Sequence, residues 1–364
     1  MLLIEGARRI GKSTLVEEFA KNEYRSYLII DFNKVSDSVI SAFNNYMNDL
    51  DTFFLILSSE YGVRLYPKES IIIFDEIQQF PKARQAIKYL VADGRFDYIE
   101  TGSLISIKEN VNDITIPSEE RTLLMYPMDF EEFAWAMNEE PLMAYIRQCF
   151  DKKVPLEQGI HAKAMLLFRQ YMIVGGMPKS LSTYLENNRN FEMADMEKRD
   201  ILTLYRNDIK KIKSGYRSSV LSIFDQIPAF LSRFERRVVM NRIEKGASFP
   251  KYHDTFIWLS DSMIANECFN CSDPNVGLSL NEDRTYVKCY MGDTGLLISH
   301  TFDENEISDG ELYREILLGK LSVNEGMFYE NVIAQMLVAA GHKLYFYTRY
   351  NQEKHRNDME IDFI

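Results

Sequence analysis

The chain has 364 residues, of which 46% are hydrophobic and 26% charged, values typical of a globular protein with sizeable cores. Its net charge of −12 argues against a protein that coats nucleic acid with its whole surface. No apolar run approaches the roughly 20 residues that span a bilayer, and no secretory signal precedes the first motif. We therefore predict a cytoplasmic protein without membrane attachment.

A phosphate-binding loop opens the chain. Residues 6–13 read Gly-Ala-Arg-Arg-Ile-Gly-Lys-Ser, which fits Gly-x-x-x-x-Gly-Lys-Ser in full. The two glycines let the backbone fold round phosphates, so that its N–H groups point at the anion from a helix N-terminus. The predicted nucleotide-binding residues are Gly6, Ala7, Arg8, Arg9, Ile10, Gly11, Lys12, Ser13 and Thr14.

The flanks of this loop predict a strand before it and a helix after it. Leu2–Ile4 form a short apolar strand end, and the helix from Ser13 is expected to turn Leu15, Val16 and Phe19 inward. Lys12 is predicted to reach the β- and γ-phosphates, and the Ser13 hydroxyl to bind Mg²⁺.

A second apolar run ends in two carboxylates. Residues 70–74 are too apolar for an exposed strand, and Asp75 and Glu76 follow them. Asp75 is predicted to bind Mg²⁺ and Glu76 to act as the general base on the attacking water. A further strand over residues 27–32 lies between the two motifs, which favours the P-loop ATPases that use an adjacent glutamate.

Small hydroxyl residues follow the next predicted strand, residues 96–100. Thr101 and Ser103 lie where a γ-phosphate sensor belongs, so both are predicted catalytic residues that hold the nucleophilic water. The alternative is a plain helix cap or turn.

These residues together resemble the AAA+ superfamily, and more narrowly bacterial and archaeal ATPases with a C-terminal domain of unknown function. Residues 126–133, 174–178, 293–297 and 326–331 resemble later motifs of that group, in the same order. The resemblance implies ATP and Mg²⁺ as ligands. Arg121 is a candidate arginine finger, although a surface salt bridge explains it equally well.

A basic segment follows the ATPase motifs. Residues 198–251 hold 13 Lys and Arg against 5 Asp and Glu. Three short predicted helices (219–231, 236–243 and 252–262) precede two strands, the order of a winged helix, which the resemblance also implies. Lys251, Tyr252 and His253 would begin a recognition helix, with phosphate contacts from Arg236, Arg237 and Arg242. A solvated basic face, or a surface that docks protein, is the alternative to DNA.

Cys268 and Cys271 have the spacing of zinc ligands, but the second half of a zinc motif is missing. Buried apolar cysteines are the alternative. In the last region, Glu330 and Asp362 fit two positions of a restriction-endonuclease-like site that the resemblance implies. The Glu-x-Lys strand is absent, so we expect no phosphodiester cleavage by the chain as given, and both of its ends look short.

The predicted fold class is α/β. A P-loop NTPase parallel sheet flanked by helices is followed by a helical and winged-helix region and a truncated nuclease-like domain. The predicted boundaries are 1–135 for the ATPase core, 136–213 for a helical lid, 214–304 for the winged helix and 305–364 for the last domain. The predicted function is ATP hydrolysis with Mg²⁺ that rearranges C-terminal domains acting on DNA or a protein partner. The alternatives are a nucleotide-dependent DNA-binding adaptor with little turnover, and an ATPase-coupled nuclease.

Overall fold

The computed structural model of the chain describes residues 1–102, 120–212, 215–233, 236–238, 240–243, 249–275, 277–303, 310–320, 325–351 and 356–364. These residues form two compact units, Met1–Tyr126 and Pro127–Ile364. Within those ranges, no helix is long and apolar enough to cross a bilayer. The finer division into four domains stays a prediction.

The first unit is built on a parallel sheet of five strands in the order β2-β3-β4-β1-β5. The strands are β1 (Leu2–Gly6), β2 (Ser26–Asp31), β3 (Ser70–Asp75), β4 (Asp97–Gly102) and β5 (Arg121–Met125). Because all strands run the same way, their carboxyl ends meet at one edge of the sheet. The predicted α/β class with a helix-flanked parallel sheet is confirmed.

Helices cover both faces of this sheet. They are α1 (Lys12–Glu23), α2 (Asp37–Asn45), α3 (Leu50–Tyr61) and α4 (Pro81–Asp93). The side chains of Ser36 and Asp49 accept backbone N–H groups at the starts of α2 and α3, and Gly62 and Gly94 end α3 and α4 with positive φ. A large apolar core lies between the sheet and α2 to α4, and a smaller one lies beneath α1.

The inward face of α1 differs from the prediction. Val16 and Ala20 are buried as the helix periodicity requires, and Lys12 shares their row. Leu15 and Phe19 are 48% and 44% exposed, so the prediction that they point inward is wrong. The reason is that residues 12, 16 and 20 form one i, i+4 row on the sheet, which leaves the neighbouring row outside.

The second unit begins with helices. These are α5 (Phe130–Ala136), α6 (Glu140–Lys152), α7 (Gln158–Val174), α8 (Pro178–Glu186), α9 (Phe191–Lys210), α10 (Arg217–Leu231), α11 (Met240–Ile243) and α12 (Phe249–Asp261). Three further helices follow later in the chain: α13 (Thr294–Thr301), α14 (Gly310–Leu318) and α15 (Gly326–Ala339). The apolar face of α9 is formed by Leu202, Tyr205 and Ile209, which are all buried.

A mixed sheet of four strands completes the second unit, in the order β7-β6-β8-β9. The strands are β6 (Ala265–Cys271), β7 (Glu282–Met291), β8 (Leu344–Asn351) and β9 (Arg356–Ile361). The strands β6 and β7 pair antiparallel after α10, α11 and α12, so the predicted order of three helices and a hairpin is present. However, β6 also pairs in parallel with β8, and this joins the two last predicted regions in one sheet.

Candidate nucleotide site

The phosphate loop lies at the carboxyl edge of the first sheet, between β1 and α1. Gly11 has a φ of 90° and Arg9 a φ of 68°, so the chain reverses through left-handed conformations before the helix. A side chain at Gly6 would meet the Met125 carbonyl oxygen at 2.4 Å and Ile10 Cδ1 at 2.3 Å. The first glycine of the motif is therefore required by the close approach of β5 as well as by the loop itself.

Lys12 turns its ammonium group back into the loop. Its Nζ donates hydrogen bonds to the carbonyl oxygens of Gly6 at 3.0 Å and Ala7 at 2.8 Å. Burial lowers the pKa of Lys12 to about 8, and the carboxylates of Glu76 and Asp75 offset only part of this effect. A phosphate bound in the loop would therefore contact a poorly solvated ammonium group. It would replace carbonyl oxygens as the hydrogen-bond acceptor of that group.

Asp75, at the end of β3, accepts two hydroxyl groups on one oxygen. The Ser13 hydroxyl donates to Asp75 Oδ1 at 2.9 Å, and the Thr101 hydroxyl donates to the same Oδ1. Thr101 reaches it because β4 lies beside β3 in parallel register, with Phe74 opposite Glu100. Two hydroxyls and a carboxylate are hard oxygen donors, and a protein site with few such ligands fits Mg²⁺, which keeps water and phosphate oxygens in its shell.

Glu76 follows Asp75 with a φ of 54°, a left-handed conformation that costs a residue with a side chain about 1 kcal/mol. This turn ends β3 and starts a short 3₁₀ helix, Ile77–Gln79. The Glu76 carboxylate accepts a hydrogen bond from Gln78 Nε2 at 2.6 Å. Gln78 was not predicted as a site residue from the sequence, although it lies only two residues after Glu76.

The structure brings together five of the predicted site residues: Lys12, Ser13, Asp75, Glu76 and Thr101. Other loop residues differ in environment. The side chains of Ala7 and Ile10 are buried, whereas those of Arg9 and Thr14 are exposed and that of Arg8 is half-buried. The predicted catalytic residue Ser103 lies outside the described residues.

Arg121 lies at the far end of its strand from the phosphate loop. In the parallel pair of β1 and β5, Arg121 is opposite Leu2, whereas Met125 is opposite Gly6. Four residues of strand separate Arg121 from the loop edge by about 13 Å. The backbone of the first unit therefore does not place Arg121 beside its own phosphate site.

A buried ionic cluster lies on the same sheet. Arg84 of α4 donates to both carboxylate oxygens of Glu120 at 3.0 Å, and its Nε lies 3.9 Å from Glu100. Burial raises the pKa of Glu100 well above its ordinary value, because Arg84, shared with Glu120, offsets the effect only in part. Neither residue was singled out from the sequence, since an arginine and a glutamate at such separation have no local pattern.

The basic segment carries much of its charge in ion pairs with carboxylates outside it. Arg199 pairs with Asp195 and Asp303, and Arg206 also pairs with Asp303. Arg236 pairs with Glu330. The excess positive charge counted along the sequence is therefore partly neutralised within the unit.

The predicted recognition helix is α12, and one of the three residues predicted to begin it is buried. Lys251 is exposed, with its ammonium 5.8 Å from the centre of the Tyr252 ring. Tyr252 is buried, and His253 Nε2 lies 3.2 Å from Arg284 Nη1. The side chain of Arg242 lies outside the described residues. Tyr252 is thus a core residue of the helix, whereas DNA contacts by Lys251, His253, Arg237 and Arg242 stay predictions.

The remaining candidates of the second unit do not converge on a metal. Cys271 Sγ donates to the carbonyl oxygen of Asp273 at 3.0 Å, and Cys268 is buried. Glu330 accepts from the Tyr290 hydroxyl at 3.1 Å, whereas Asp362 pairs with Lys288 at 2.9 Å. In the part of the chain that the structure describes, no three His, Cys, Asp or Glu side chains are grouped to hold a metal ion.

Comparison with protein families agrees with the division into two units. Residues 1–134 match the family described as AAA domain, and residues 165–306 match a domain of unknown function (DUF8612). No curated protein matches the chain. The first unit is therefore similar to AAA domains along its whole length, while neither winged-helix nor nuclease-like character of the second unit is assigned by a family, and both stay predictions.

Three solved structures are similar to the chain at a low level. The Thermotoga maritima RuvB Holliday junction branch migration motor is 12% identical, with a TM-score of 0.29, over 75% of this chain and 82% of that one. Hsp104, in a closed state with ATPγS and FITC casein, is 13% identical with a TM-score of 0.31, over 74% and 48%. Cdc6p from Pyrobaculum aerophilum is 12% identical with a TM-score of 0.27, over 84% and 88%.

Proposed function

We propose that this chain, whose first unit matches the AAA domain family, binds ATP with Mg²⁺ and hydrolyses it. The observation that carries the proposal is the convergence of the Ser13 and Thr101 hydroxyls on one oxygen of Asp75. The carboxylates of Glu76 and Asp75 also act on the buried ammonium of Lys12, whose pKa they raise against the larger effect of burial. A cation for phosphate, oxygen ligands for Mg²⁺ and a carboxylate for water are the parts that phosphoryl transfer needs.

Each residue has a separate task in this proposal. The loop N–H groups and Lys12 bind the phosphates, and Lys12 exchanges its bonds to the Gly6 and Ala7 carbonyls for phosphate oxygens. Ser13 and Asp75 hold Mg²⁺, which when bound neutralises charge on the phosphates. Glu76 accepts the proton of the attacking water, and Thr101 keeps Asp75 in place or orients that water.

The substitutions Lys12→Ala and Glu76→Gln test the proposal. Lys12→Ala is expected to abolish nucleotide binding, because it removes the buried cation from the loop. Glu76→Gln is expected to retain binding of a fluorescent ATP analogue and to lose about 10²- to 10⁴-fold in turnover, the usual contribution of a general base. Lys88→Ala and Glu60→Gln are the matched controls, since both residues are exposed on helices of the same unit. Unchanged turnover in both site variants would remove the assignment.

The second unit is proposed as the part that acts on a partner under control of the nucleotide, and this partner is DNA or a protein. The basic segment supports DNA, whereas the pairing of Arg199, Arg206 and Arg236 with carboxylates leaves less charge for it. Filter binding of duplex DNA at increasing salt, with and without ATP, separates the two. DNA is the partner if the affinity falls steeply with salt and is weaker in Arg237→Ala and Lys251→Ala. If no DNA binds at low salt, the partner is a protein.

Measured turnover also distinguishes an ATPase from the alternative function, a nucleotide-dependent DNA-binding adaptor with little turnover. An adaptor binds the ATP analogue as tightly as an ATPase does, but its wild-type turnover equals that of Glu76→Gln. The Glu76 carboxylate supports hydrolysis over an adaptor, because a negative group repels phosphate and adds nothing to simple binding of an anion.

A further inference from the structure

The carboxylate proposed as general base is held by a neighbouring side chain. Gln78 Nε2 donates to Glu76 Oε2 at 2.6 Å. Gln78 lies in the middle of the 3₁₀ turn Ile77–Gln79 and is only 7% exposed. A buried side chain on a short turn has few rotamers available, so this hydrogen bond restricts the glutamate as well.

Glu76 needs such a restraint more than a residue within a strand does. Its φ of 54° marks the point where β3 has ended, so no neighbouring strand aligns its side chain. The side chain is half-buried and has three rotatable bonds, which leaves the carboxylate several positions. The turn itself is fixed, since Gln79 donates its backbone N–H to the Glu76 carbonyl oxygen at 3.0 Å. Backbone and side chain of this turn thus both hold Glu76.

Glu76 lies at the edge of the sheet that carries the phosphate loop. It directly follows Asp75, the last residue of β3, whose Oδ1 accepts the hydroxyl of the loop residue Ser13 at 2.9 Å. The carboxylate that Gln78 binds therefore belongs to the residue next to the proposed Mg²⁺ ligand, on the phosphate side of the sheet. A base held on that side is ready for water that attacks there, whereas a base turned away would need to move first.

We propose that Gln78 is a positioning residue for hydrolysis, which fixes the Glu76 carboxylate toward the phosphate site through the amide hydrogen bond. The inference rests on the proposed ATPase function. Gln78 acts through Glu76 and takes no part in binding the nucleotide. Its loss therefore lowers the rate of the chemical step and leaves the affinity for ATP unchanged.

Steady-state ATPase kinetics of Gln78→Met test this role. Methionine keeps the length and most of the volume of glutamine but has no N–H to donate. We expect kcat to fall about ten- to a hundredfold, the range that misplacement of a catalytic group produces, with KM and analogue binding unchanged. Gln79→Met is the matched control, because Gln79 is the next residue of the same turn and is exposed.

Adding the substitution to the Glu76→Gln variant distinguishes a positioning role of Gln78 from a role in stabilising the fold. In Glu76→Gln, the carboxylate that Gln78 positions is gone, so adding Gln78→Met is expected to cause no further loss of turnover. A residue that only stabilises the turn would lower turnover again in this background. Gln78→Glu provides the same information if the methionine variant does not fold, since a second carboxylate repels Glu76 and is expected to lower kcat likewise.

These measurements distinguish failure of the proposed ATPase function from failure of the positioning role of Gln78. A wild-type protein without turnover removes the proposed function itself. A wild-type ATPase whose kcat is unchanged in Gln78→Met or Gln78→Glu overturns the positioning role alone. A raised KM with unchanged kcat overturns it as well, because Gln78 would then belong to nucleotide binding.

Discussion

Thr101 donates a hydrogen bond to Asp75 Oδ1, the oxygen that also accepts the hydroxyl of Ser13. The bond crosses from β4 to β3 and joins the fully buried Thr101 to the partly exposed Asp75. Thr101 was predicted as a sensor that holds the attacking water. Its observed partner also permits a role in orienting the carboxylate proposed to bind Mg²⁺, because outer residues often orient metal ligands.

Thr101→Val separates these two roles. The variant removes the hydroxyl and keeps the shape, so Asp75 loses a hydrogen bond to a charged group. If the hydroxyl orients Asp75, the Mg²⁺ concentration for half-maximal turnover is expected to rise about tenfold. ATPase rates across a Mg²⁺ titration measure this, with Thr122→Val, an exposed threonine on β5 of the same sheet, as control. A fall in kcat with unchanged Mg²⁺ dependence would instead assign Thr101 to the attacking water.

The lowered pKa of Lys12 predicts that nucleotide affinity depends on pH. Burial brings this pKa to about 8 in the protein without nucleotide, whereas a bound triphosphate favours the charged ammonium. Binding then takes up a proton above that pH. Affinity is therefore expected to stay level below about pH 7 and to fall as pH rises through 8, by at most about tenfold per pH unit.

Binding of a fluorescent ADP analogue with EDTA, between about pH 6 and 10, measures this dependence without a metal ion. Lys12→Arg is the control, because arginine keeps its charge over the whole range. Its affinity is expected to differ from that of the wild type by a constant factor, so its slope with pH is flat. Equal slopes in the two proteins would assign the dependence to another group.

Much of the first unit was predictable because its signals are local. The glycine spacing of the phosphate loop and the apolar run before Asp75 predicted a strand, a loop and a metal ligand, and the structure places Lys12, Ser13 and Asp75 together. The register of parallel strands then brings Thr101 to Asp75. The prediction of which face of α1 points inward was partly wrong. Leu15 and Val16 are both apolar, and the periodicity of a short helix does not show which of two adjacent rows of side chains is buried.

What remained hidden depends on contacts between distant segments. The parallel pairing of β6 with β8 joins Cys268 to Leu344, and no sequence pattern specifies such a register. The ion pair of Arg236 with Glu330 is hidden for the same reason, and it removes one of the arginines expected at a DNA phosphate. Charge counted along a segment does not show which carboxylates fold against it.

Glu100→Gln is expected to stabilise the first unit at neutral and higher pH. Burial raises the pKa of Glu100 above the 4.5 of an ordinary glutamate, so between these values the folded state holds a proton that the unfolded state has released. Stability is therefore lost as pH rises through this window. Glutamine resembles the protonated acid at every pH, and Arg84 keeps its bidentate partner Glu120.

Differential scanning calorimetry at about pH 5 and pH 8 checks this expectation. The gain in the free energy of unfolding at pH 8 is expected to be on the order of 1 kcal/mol, and the difference from the wild type is expected to shrink at pH 5. Glu60→Gln, on the exposed side of α3, controls for the loss of one negative charge. A loss of stability at pH 8 would show that Glu100 is needed as an anion beside Arg84.

Asp293→Asn is expected to destabilise the second unit strongly. The buried carboxylate of Asp293 accepts the backbone N–H groups of Gly176 at 2.6 Å and Leu296 at 2.9 Å, one on each oxygen. Gln335 Nε2 adds a donor at 3.4 Å. An asparagine has only one acceptor oxygen, so its NH₂ group would face one of these backbone N–H groups and leave it unpaired.

The expected loss in the free energy of unfolding is about 2 to 4 kcal/mol, the usual cost of leaving buried donors unpaired near a charge. Urea unfolding followed by tryptophan fluorescence measures it, because Trp135 and Trp258 both lie in the second unit. Asp254→Asn is the matched control, since that side chain is 83% exposed on α12. A change in Asp293→Asn no larger than in this control would mean that the turn at Gly175 and Gly176 rearranges freely, and that Asp293 does not hold α7 and α13 together.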